Sequence, residues 1–439
     1  MGGESGSRAP ALQRKRVVSG MRPTGRLHIG HYFGALQNWV RLQNLLTADG
    51  KKEYECFYFI ADWHALTSDY ADTSGVAQNT IEIMTDYLAA GLDPQKSVLF
   101  QQSLVPEHAE LHLLLSMVTP LGWLERVPTY KEALENVKDK DLHNYGFLGY
   151  PVLQCADIVI YSEEGAQLFV PVGEDQVSHV ETSREIVRRL NIYFGRRLRD
   201  DAFGEGKKPA MRVVLDVLAR ELVPPKGQAY TPDQKAHIQS YIRNNLREIG
   251  LENFAYPDEL HQVIHVEDVL IEPQFMLTHT PRIPGLDGRK MSKSYGNTIT
   301  LSETDEEIRK KTKVMVTDPA RKRRTDPGNP DVCPVYDWHK LFSTKQTLEW
   351  AAQGCRTAGI GCIECKAKMA DHLIEWITPV RERRVKWEKN PKGVLEVLEE
   401  GSKKARKVAQ GTMERVREAV FGWGKKRKEV ASDEWRVAR

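Results

Sequence analysis

Residues 20–31 of the chain read GMRPTGRLHIGH, and a short apolar run at residues 17–18 precedes them. From Tyr32 onward the apolar side chains return at helical spacing. The pattern predicts a strand, a glycine-containing loop and then a helix. Free backbone N–H groups and the positive dipole end of such a helix favour phosphate. The glycines let a polyanion approach the backbone closely. Residues 20–31 are therefore predicted to bind phosphate groups.

Two histidines of this segment, His28 and His31, stand three residues apart across Gly30. They can face one ligand and donate hydrogen bonds to phosphate oxygens. The segment contains neither the P-loop pattern nor the glycine fingerprint of dinucleotide-binding folds. A pattern of four residues can arise by chance, so it does not by itself identify a class of protein.

A second segment rich in positive charge lies at residues 288–294 and reads GRKMSKS. Two lysines and two hydroxyl side chains follow a glycine, which is typical of a mobile cationic loop. Such a loop suits negative charge that develops on a leaving pyrophosphate. Taken alone, it is equally well an ordinary basic surface loop.

The composition describes a globular chain. It has 439 residues, of which 41% are hydrophobic and 28% charged, enough for two to three domains. Lys+Arg number 63 against 60 Asp+Glu, a surplus too small to predict a nucleic-acid partner. No apolar run reaches the roughly 18 residues that a membrane helix needs. Residues 1–16 lack the apolar core of a secretion signal and are predicted to form a flexible tail.

Domain boundaries follow from changes in pattern. Residues 17–199 alternate short apolar runs with helical patterns, which predicts an α/β fold with a parallel sheet covered on both faces. Ligands of such sheets lie at the carboxyl ends of the strands. Residues 200–268 break the pattern and are predicted to form a helical insertion. Residues 269–303 complete the α/β domain, and residues 304–439 are charged and helical, with an apolar stripe near the end.

The two motifs together, in this order, identify a family. With HIGH at 28–31 and KMSKS at 290–294, the chain resembles the class I aminoacyl-tRNA synthetases, and most closely the bacterial tryptophanyl-tRNA synthetases. The likeness covers roughly residues 17–195 and 269–425. It includes ADWHA at 61–65, YPVL at 150–153, VPVGEDQ at 170–176 and TDP at 317–319.

This resemblance implies a fold and an activity. It implies a Rossmann-like catalytic domain with the helical insertion, an all-α anticodon-binding domain at 304–439, and a homodimer. The carboxylate of L-tryptophan would attack the α-phosphorus of ATP, and the adenylate would then acylate tRNA(Trp). Neither step needs a protein nucleophile, and no nucleophile elbow or HExxH motif is present. Mg²⁺ is expected with ATP. The expected location is the cytoplasm, with neither membrane nor DNA as partner.

The resemblance also assigns roles to individual residues. It implies catalytic roles for His28, His31, Lys290 and Lys293. It places the following residues around ATP: Arg22, Pro23, Thr24, Gly30, His31, Gly173, Glu174, Asp175, Ile283, Lys290, Met291, Ser292, Lys293 and Ser294.

The choice of amino acid depends on Tyr150, Gln154 and Asp157, which share one face of a predicted helix. The carboxylate of Asp157 could accept an indole N–H or a phenol O–H, so this chemistry alone leaves tryptophan and tyrosine both open. The likeness at residues 170–176 favours tryptophan. It makes Gln176 and Tyr150 candidates for the substrate ammonium and His64 for the ring wall, although His64 could instead be a hydrogen-bonded core histidine.

Four of the six cysteines cluster near the C-terminal domain's start: Cys333, Cys355, Cys362 and Cys365. Four thiolates suit Zn²⁺ or an iron–sulfur cluster. Some tryptophanyl-tRNA synthetases carry a [4Fe–4S] cluster on a similar pattern, so the resemblance favours that cluster, with zinc or free thiols as the alternatives. The neighbouring basic run at 321–324 is then predicted to contact RNA.

Two other functional hypotheses stay open. One is a tyrosyl enzyme of the same class. The other is a relative that binds nucleotide or RNA without aminoacylation, since the same fold can be kept when the catalytic activity is lost. The presence of His28, His31, Lys290 and Lys293 argues against the second hypothesis.

Overall fold

The structure is a computed structural model of the chain. It describes residues 14–136, 142–199, 201–207, 211–212, 230–245, 262–278 and 283–422. The predicted tail up to residue 13 and most of the predicted insertion lie outside the described residues. No helix among the described residues is long and apolar enough to cross a membrane.

Within the described residues, seven strands form two sheets. The strands are β1 (Lys15–Met21), β2 (Glu55–Ile60), β3 (Ser97–Gln101), β4 (Gln167–Val172), β5 (Arg196–Leu198), β6 (Ile264–Val266) and β7 (Gln274–Leu277). The main sheet has five parallel strands in the order β3-β2-β1-β4-β7, and β5 pairs with β6 in an antiparallel sheet of two strands.

Sixteen α-helices are described in full. They are α1 (Ile29–His31), α2 (Gln37–Asn44), α3 (Asp62–Asp69), α4 (Val76–Ala90), α5 (Glu107–Val118), α6 (Leu121–Leu124), α7 (Pro128–Asn136), α8 (Tyr145–Leu148), α9 (Tyr150–Val159), α10 (Val177–Phe194), α11 (Pro232–Asn245), α12 (Asp305–Lys313), α13 (Pro334–Phe342), α14 (Lys345–Arg356), α15 (Cys362–Glu388) and α16 (Pro391–Phe421). A π-helical segment, Tyr32–Leu36, joins α1 to α2.

The predicted α/β architecture is confirmed by the main sheet. The run at residues 56–60 is buried along its whole length, because helices cover both faces of a parallel strand. β1 pairs with β2 on one side and with β4 on the other, with Val17 opposite both Cys56 and Phe169. The chain winds outward from β1 in both directions. The crevice between the carboxyl ends of β1 and β4 is therefore the switch point where ligands of such sheets bind.

The antiparallel pair β5–β6 was missed in the sequence analysis. It brings residues 196–198 next to residues 264–266, at the two ends of the predicted insertion. Each strand has only three residues, which is too short for an alternating pattern to be recognised.

The C-terminal helices pack directly against the main sheet. The predicted apolar stripe is buried on α16, where Ala405, Met413 and Val416 share a core with side chains of β1 and β2. Upstream on the same helix, Gly401 lies against the backbone of Leu99, and an added Cβ would stand 1.7 Å from its carbonyl oxygen. A helix thus covers the edge of β3, which leaves that edge closed to strand addition.

Candidate active site

The loop that follows β1 is held by the second motif. Gly25 adopts a φ of 102°, a left-handed conformation that favours glycine. Nζ of Lys293 donates hydrogen bonds to the carbonyl oxygens of Thr24 (3.1 Å) and Gly25 (2.7 Å). Burial lowers the pKa of Lys293 to about 8. The two motifs, some 270 residues apart, therefore meet through one ammonium group.

The two motif histidines form a neutral pair. Their ring centroids are 3.7 Å apart, and the backbone N–H of His28 donates to Nδ1 of His31 at 3.2 Å. Burial, followed by the charge of Lys293, lowers the pKa of His28 to about 4. Burial also holds the pKa of His31 well below its usual value. Because Nδ1 of His31 accepts a hydrogen bond, its proton lies on Nε2, which can donate to a phosphate oxygen.

The second motif is shaped by a residue that the sequence analysis missed. Asn297 is almost fully buried, and its Oδ1 accepts the backbone N–H of Ser292 at 2.8 Å. Its Nδ2 donates to Asp287 (2.7 Å) and to the carbonyl of Lys290 (3.1 Å). In the sequence, the available signal was an asparagine placed shortly after a basic loop. The hydrogen bonds of Asn297 fix this loop, while the Lys290 side chain remains exposed.

The two motifs also touch through apolar atoms. A Cβ added at Gly30 would lie 3.3 Å from Sδ of Met291 and 2.9 Å from the His28 ring. Met291 and Ile283 are buried in the same core cluster as the first helix. Glycine at position 30 therefore allows the second motif to close over the first.

The remaining residues predicted around ATP lie at the carboxyl ends of β1 and β4. Pro23 is buried and Thr24 exposed, while the exposed Arg22 donates to Oγ of Ser68 at 3.4 Å. Gly173 directly follows β4, and Glu174 opens a short 3₁₀ helix. The side chains of Asp175 and Ser294 lie outside the part that the structure describes.

A buried carboxylate forms the centre of the second half of the site. Asp157 on α9 is 1% exposed. Its Oδ2 contacts Nε2 of His64 at 2.7 Å, its Oδ1 contacts Nδ1 of His108 at 2.5 Å, and Nε2 of Gln102 lies 2.8 Å from both oxygens. Burial by itself raises the pKa of Asp157. The hydrogen bonds and charges of His108 and His64 outweigh burial and lower the pKa to about 2, so the group stays ionised.

The other predicted tryptophan-binding residues lie on α3, on α9 and at the end of the 3₁₀ helix. The ring of Tyr150 meets the ring of His64 edge-on at 4.5 Å. Gln154 lies one turn further along α9, where its Oε1 contacts Nδ1 of His179 at 2.8 Å. Gln176 ends the 3₁₀ helix and caps α10. The predicted shared face of α9 is therefore present, and His64 belongs to it through its bond to Asp157.

Three buried polar residues of this pocket were missed in the sequence analysis. Gln102 follows the carboxyl end of β3, and His108 is the second residue of the next long helix. Nε2 of His108 also contacts the hydroxyl of Tyr161 at 2.9 Å, and all three residues are fully buried. Two consecutive glutamines at the carboxyl end of an apolar strand were the available signal, since ligands bind at that end of a parallel sheet.

Among the described residues, the four cysteines predicted to bind a metal do not form a closed cluster. Cys333 is buried and the other three are half-buried. Burial, followed by the charges of Cys333, Cys355 and Cys362, raises the pKa of Cys365 to about 12. Within the described residues, no three or more His, Cys, Asp or Glu side chains are arranged to hold an ion.

The basic run beside the cysteines corrects one expectation. Arg321 was predicted, with the rest of residues 321–324, to contact RNA. The structure buries it, and its Nη2 donates to the carbonyl oxygens of Arg324 (3.0 Å) and Ile360 (2.6 Å). The prediction was therefore wrong for Arg321, because its guanidinium is used to fold the loop. The other three side chains of the run are exposed.

Comparison with known proteins agrees with this geometry. The model of the family "tRNA synthetases class I (W and Y)" matches residues 12–199 and 232–378. The tryptophan–tRNA ligase of Ralstonia nicotianae is 48% identical over 413 residues, which is 92% of this chain and 98% of that protein. The tryptophan–tRNA ligase of Thermotoga maritima is 42% identical over 406 residues, again 92% of this chain and 98% of the relative.

A solved structure is similar in fold as well. Tryptophanyl-tRNA synthetase from Campylobacter jejuni, complexed with ADP and tryptophan, superposes with a TM-score of 0.67 at 27% identity. The match covers 92% of this chain and 99% of that one. Fold, motif geometry and relatives agree: the chain belongs to the class I tryptophanyl- and tyrosyl-tRNA synthetases, on their bacterial tryptophanyl branch.

Proposed function

We propose that the crevice between β1 and β4 binds L-tryptophan and ATP and transfers the adenylyl group of ATP to the tryptophan carboxylate. The chain activates L-tryptophan to the adenylate with release of pyrophosphate and then transfers it to tRNA(Trp). The main observation that supports ATP binding at this loop is the contact of Lys293 with the first motif. Its Nζ, from the second motif, donates to the carbonyls of Thr24 and Gly25. A cation at the phosphate-binding loop is what the leaving pyrophosphate requires.

The phosphate side works by charge and hydrogen bonding. The substrate carboxylate oxygen forms a bond to the α-phosphorus of ATP, and the bond from that phosphorus to pyrophosphate breaks. Lys293, and Lys290 once the loop closes on ATP, stabilise the charge on the departing pyrophosphate. His31 donates from Nε2 to a phosphate oxygen as a neutral imidazole. Mg²⁺ accompanies ATP and shares its phosphate charge.

The ring side provides selectivity. The ionised Asp157 accepts the indole N–H, while His64 and Tyr150 enclose the ring. Four short contacts already surround the two oxygens of Asp157, so the substrate N–H has to displace or share the bifurcated contact of Gln102. Gln176 and Tyr150 are assigned to the ammonium group, and Gly173 and Glu174 to the adenosine.

The experiment that tests this function is ATP–pyrophosphate exchange with each of the twenty amino acids, using protein purified without oxygen. Exchange with tryptophan alone supports the proposal. Exchange with tyrosine would show that the Tyr150–Gln154–Asp157 face selects a phenol. ATP binding without any exchange would instead support a non-catalytic relative.

The four cysteines are assigned to a [4Fe–4S] cluster, with Zn²⁺ as the alternative. A set of four thiols fits either centre. The buried Arg321 supports an anionic occupant, since its Nη1 lies 3.9 Å from Sγ of Cys355 and its Nε has no hydrogen-bond partner among the described residues. The carboxylate of Asp318 is one partner of this buried charge, and four thiolates around a metal centre would add to its compensation. The centre would hold the loop before α15 in place.

Replacing Cys362 with serine is expected to abolish retention of the metal and to impair tRNA charging more than adenylate formation. Cys362 is the first residue of α15 and belongs to neither of the two motifs assigned to adenylate formation. Metal analysis together with exchange and charging assays would measure this. Cys56→Ser is the matched control, because that buried thiol belongs to β2 and should leave the metal content unchanged. Equal loss of both reactions would indicate that the centre stabilises the whole chain.

The C-terminal helices and one apolar surface are assigned to partners. Residues 304–439 are proposed to bind the anticodon, with the exposed Lys322, Arg323 and Arg324 as phosphate contacts.

A homodimer is proposed because α5 and α6 expose Leu113 (54%), Met117 (72%) and Leu121 (59%) together. Sedimentation equilibrium tests it, and a monomer at micromolar concentration would contradict it. The proposed compartment is the cytoplasm, where tRNA and ATP are used.

A further inference from the structure

A buried ion pair joins a C-terminal helix to the catalytic sheet. Asp86 on α4 is fully buried, and Arg384 on α15 is 1% exposed. Nη1 of Arg384 contacts Oδ1 of Asp86, and its Nη2 contacts Oε2 of Glu82. Its Nε lies 3.0 Å from a carboxylate oxygen of Glu388. One buried guanidinium thus meets three carboxylates, of which only Asp86 is completely buried.

The second oxygen of Asp86 holds the phosphate-binding loop. Oδ2 accepts the backbone N–H of Leu27 at 2.7 Å. The carbonyl of Leu27 accepts the N–H of Leu301 at 2.9 Å, so both backbone groups of this residue are fixed. Leu27 directly precedes the first histidine of the HIGH motif. Nε of Arg26, the residue before it, donates to Glu82 at 2.9 Å.

Asp86 also acts on the opposite end of the loop. Lys293, which holds the carbonyls of Thr24 and Gly25, has a pKa lowered by burial, and the charge of Asp86 opposes that shift. The carboxylate therefore fixes residue 27 directly and helps to keep the lysine at residues 24–25 charged. The hydrogen bond to Leu27 is thus the direct attachment to the loop, and the effect on Lys293 adds to it.

We propose that Asp86, oriented by Arg384, is a positioning residue for tryptophan activation: it holds residues 24–28 in the geometry that ATP requires. This inference rests on the proposed function of the same site. Neither residue needs to touch substrate, so neither is a catalytic residue. The pair instead connects α15, whose first residue is Cys362, to the loop that holds the phosphates.

Stability alone does not account for this pair. Replacing a buried ion pair by apolar residues of similar volume is often neutral or stabilising. The position of a phosphate-binding loop must be accurate for catalysis, because a displacement of about 1 Å can lower a rate by about 10²-fold. The buried pair is therefore better explained by the accuracy it gives to the loop than by the free energy of folding.

The test is the double variant Asp86→Leu with Arg384→Met, which removes both buried charges and the acceptor for Leu27. Its melting temperature is expected to fall by only a few degrees, because the buried N–H of Leu27 loses its acceptor while no unpaired charge is left at positions 86 and 384. Its kcat/KM for ATP in tryptophan-dependent exchange is expected to fall by about 10–10²-fold, while the KM for tryptophan stays within about twofold because neither Asp86 nor Arg384 contacts Asp157 or its partners. Glu110→Gln is the matched control, since it breaks another ion pair between α16 and the sheet domain, with Arg417.

A second variant keeps the test valid if the double variant does not fold. Burial raises the pKa of Asp86 to about 6, although Arg384 opposes the shift. The charged groups that face it are Arg384 from α15, Glu82 from α4, Arg26 from the loop and Lys293 from the second motif. Activation by the wild type should decline as pH falls through about 6, because protonation removes the charge that Arg384 pairs with. Asp86→Asn should lack this decline.

The outcomes separate the inference from the proposed function. If the wild type shows no tryptophan-dependent exchange, the proposed function is wrong. If the wild type is active and the variants keep its ATP parameters and its pH profile, the positioning role is wrong. A parallel loss in the ATP and tryptophan parameters, in proportion to a loss of folded protein, would also overturn it by showing a purely structural role.

Discussion

Lys293→Ala is expected to lower the rate of tryptophan-dependent ATP–pyrophosphate exchange by about 10²–10³-fold, the usual effect of removing one preorganised charge-stabilising group. In the resting structure the ammonium group bonds the carbonyls of Thr24 and Gly25, where phosphate oxygens can replace those acceptors. Lys290→Ala should have a similar effect on the rate, although its side chain is exposed before ATP binds. The exchange assay would measure the rate of activation, and thermal melting would show separately whether the variant is still folded.

Arg289→Ala provides the control within the same loop. Its guanidinium pairs with Asp287 at 2.6 Å and lies 4.3 Å from the ring of Tyr295, so its charge is already engaged. Its loss should change the rate by less than about threefold if position rather than overall charge matters, as for other exposed pairs. Unchanged exchange kinetics in Lys293→Ala would remove the assigned role at the leaving group.

The same lysine predicts an alkaline limit. Burial lowers the pKa of Lys293 to about 8 in the free protein, so its charge is lost as pH rises through that value. At low ATP concentration, kcat/KM for ATP should therefore fall above about pH 8. Bound phosphate favours the charged form, so kcat at saturating ATP should fall only at higher pH. A limit at the same pH in both parameters would contradict this assignment.

Local sequence patterns were sufficient for the α/β fold class, for strands β1 to β3 and for the two motifs. These three strands are apolar runs bounded by loops, and the segment at 20–31 joins a strand to a helix as its glycines indicate. The strands β5 and β6 could not be found, because a three-residue strand carries no period. The approach of Gly401 to Leu99 was equally hidden, since nothing local shows which surface a helix will cover.

The polar partners within the site were the least predictable part. The face of Tyr150, Gln154 and Asp157 follows from helical spacing alone. The contacts of Asp157 with His108, and of Asp86 with Arg384, join residues that are distant in sequence and depend on the packing of whole helices. A lone histidine or arginine in a helical pattern gives no sign of its partner. Tertiary packing therefore determines the polar network behind the motifs.

Asp157→Asn is expected to lower kcat/KM for tryptophan by about 10²-fold or more, the cost of losing a hydrogen bond to a buried charged acceptor. The amide keeps the shape of the side chain, but one of its two terminal atoms can only donate. That atom would face Nε2 of His64 or Nδ1 of His108, which now bond the carboxylate. The pocket would lose an acceptor for the indole N–H and would also be reorganised around two histidines.

An analogue without the ring N–H separates these two effects. Benzothienylalanine replaces the indole N–H with sulfur, and the wild type should prefer tryptophan over it by about 10²-fold or more. In Asp157→Asn the preference should narrow to less than about tenfold, because the group that recognises the N–H is gone. Cys155→Ala, two residues away on α9, should cost stability while the preference stays unchanged, since its buried thiol bonds the carbonyl of Ser183. An equal preference in the wild type and in Asp157→Asn would mean that another group recognises the indole N–H.

The pKa of Asp157, about 2, makes the preference for tryptophan over the analogue independent of pH across the neutral range. A preference that changed with pH in that range would contradict the assignment to Asp157.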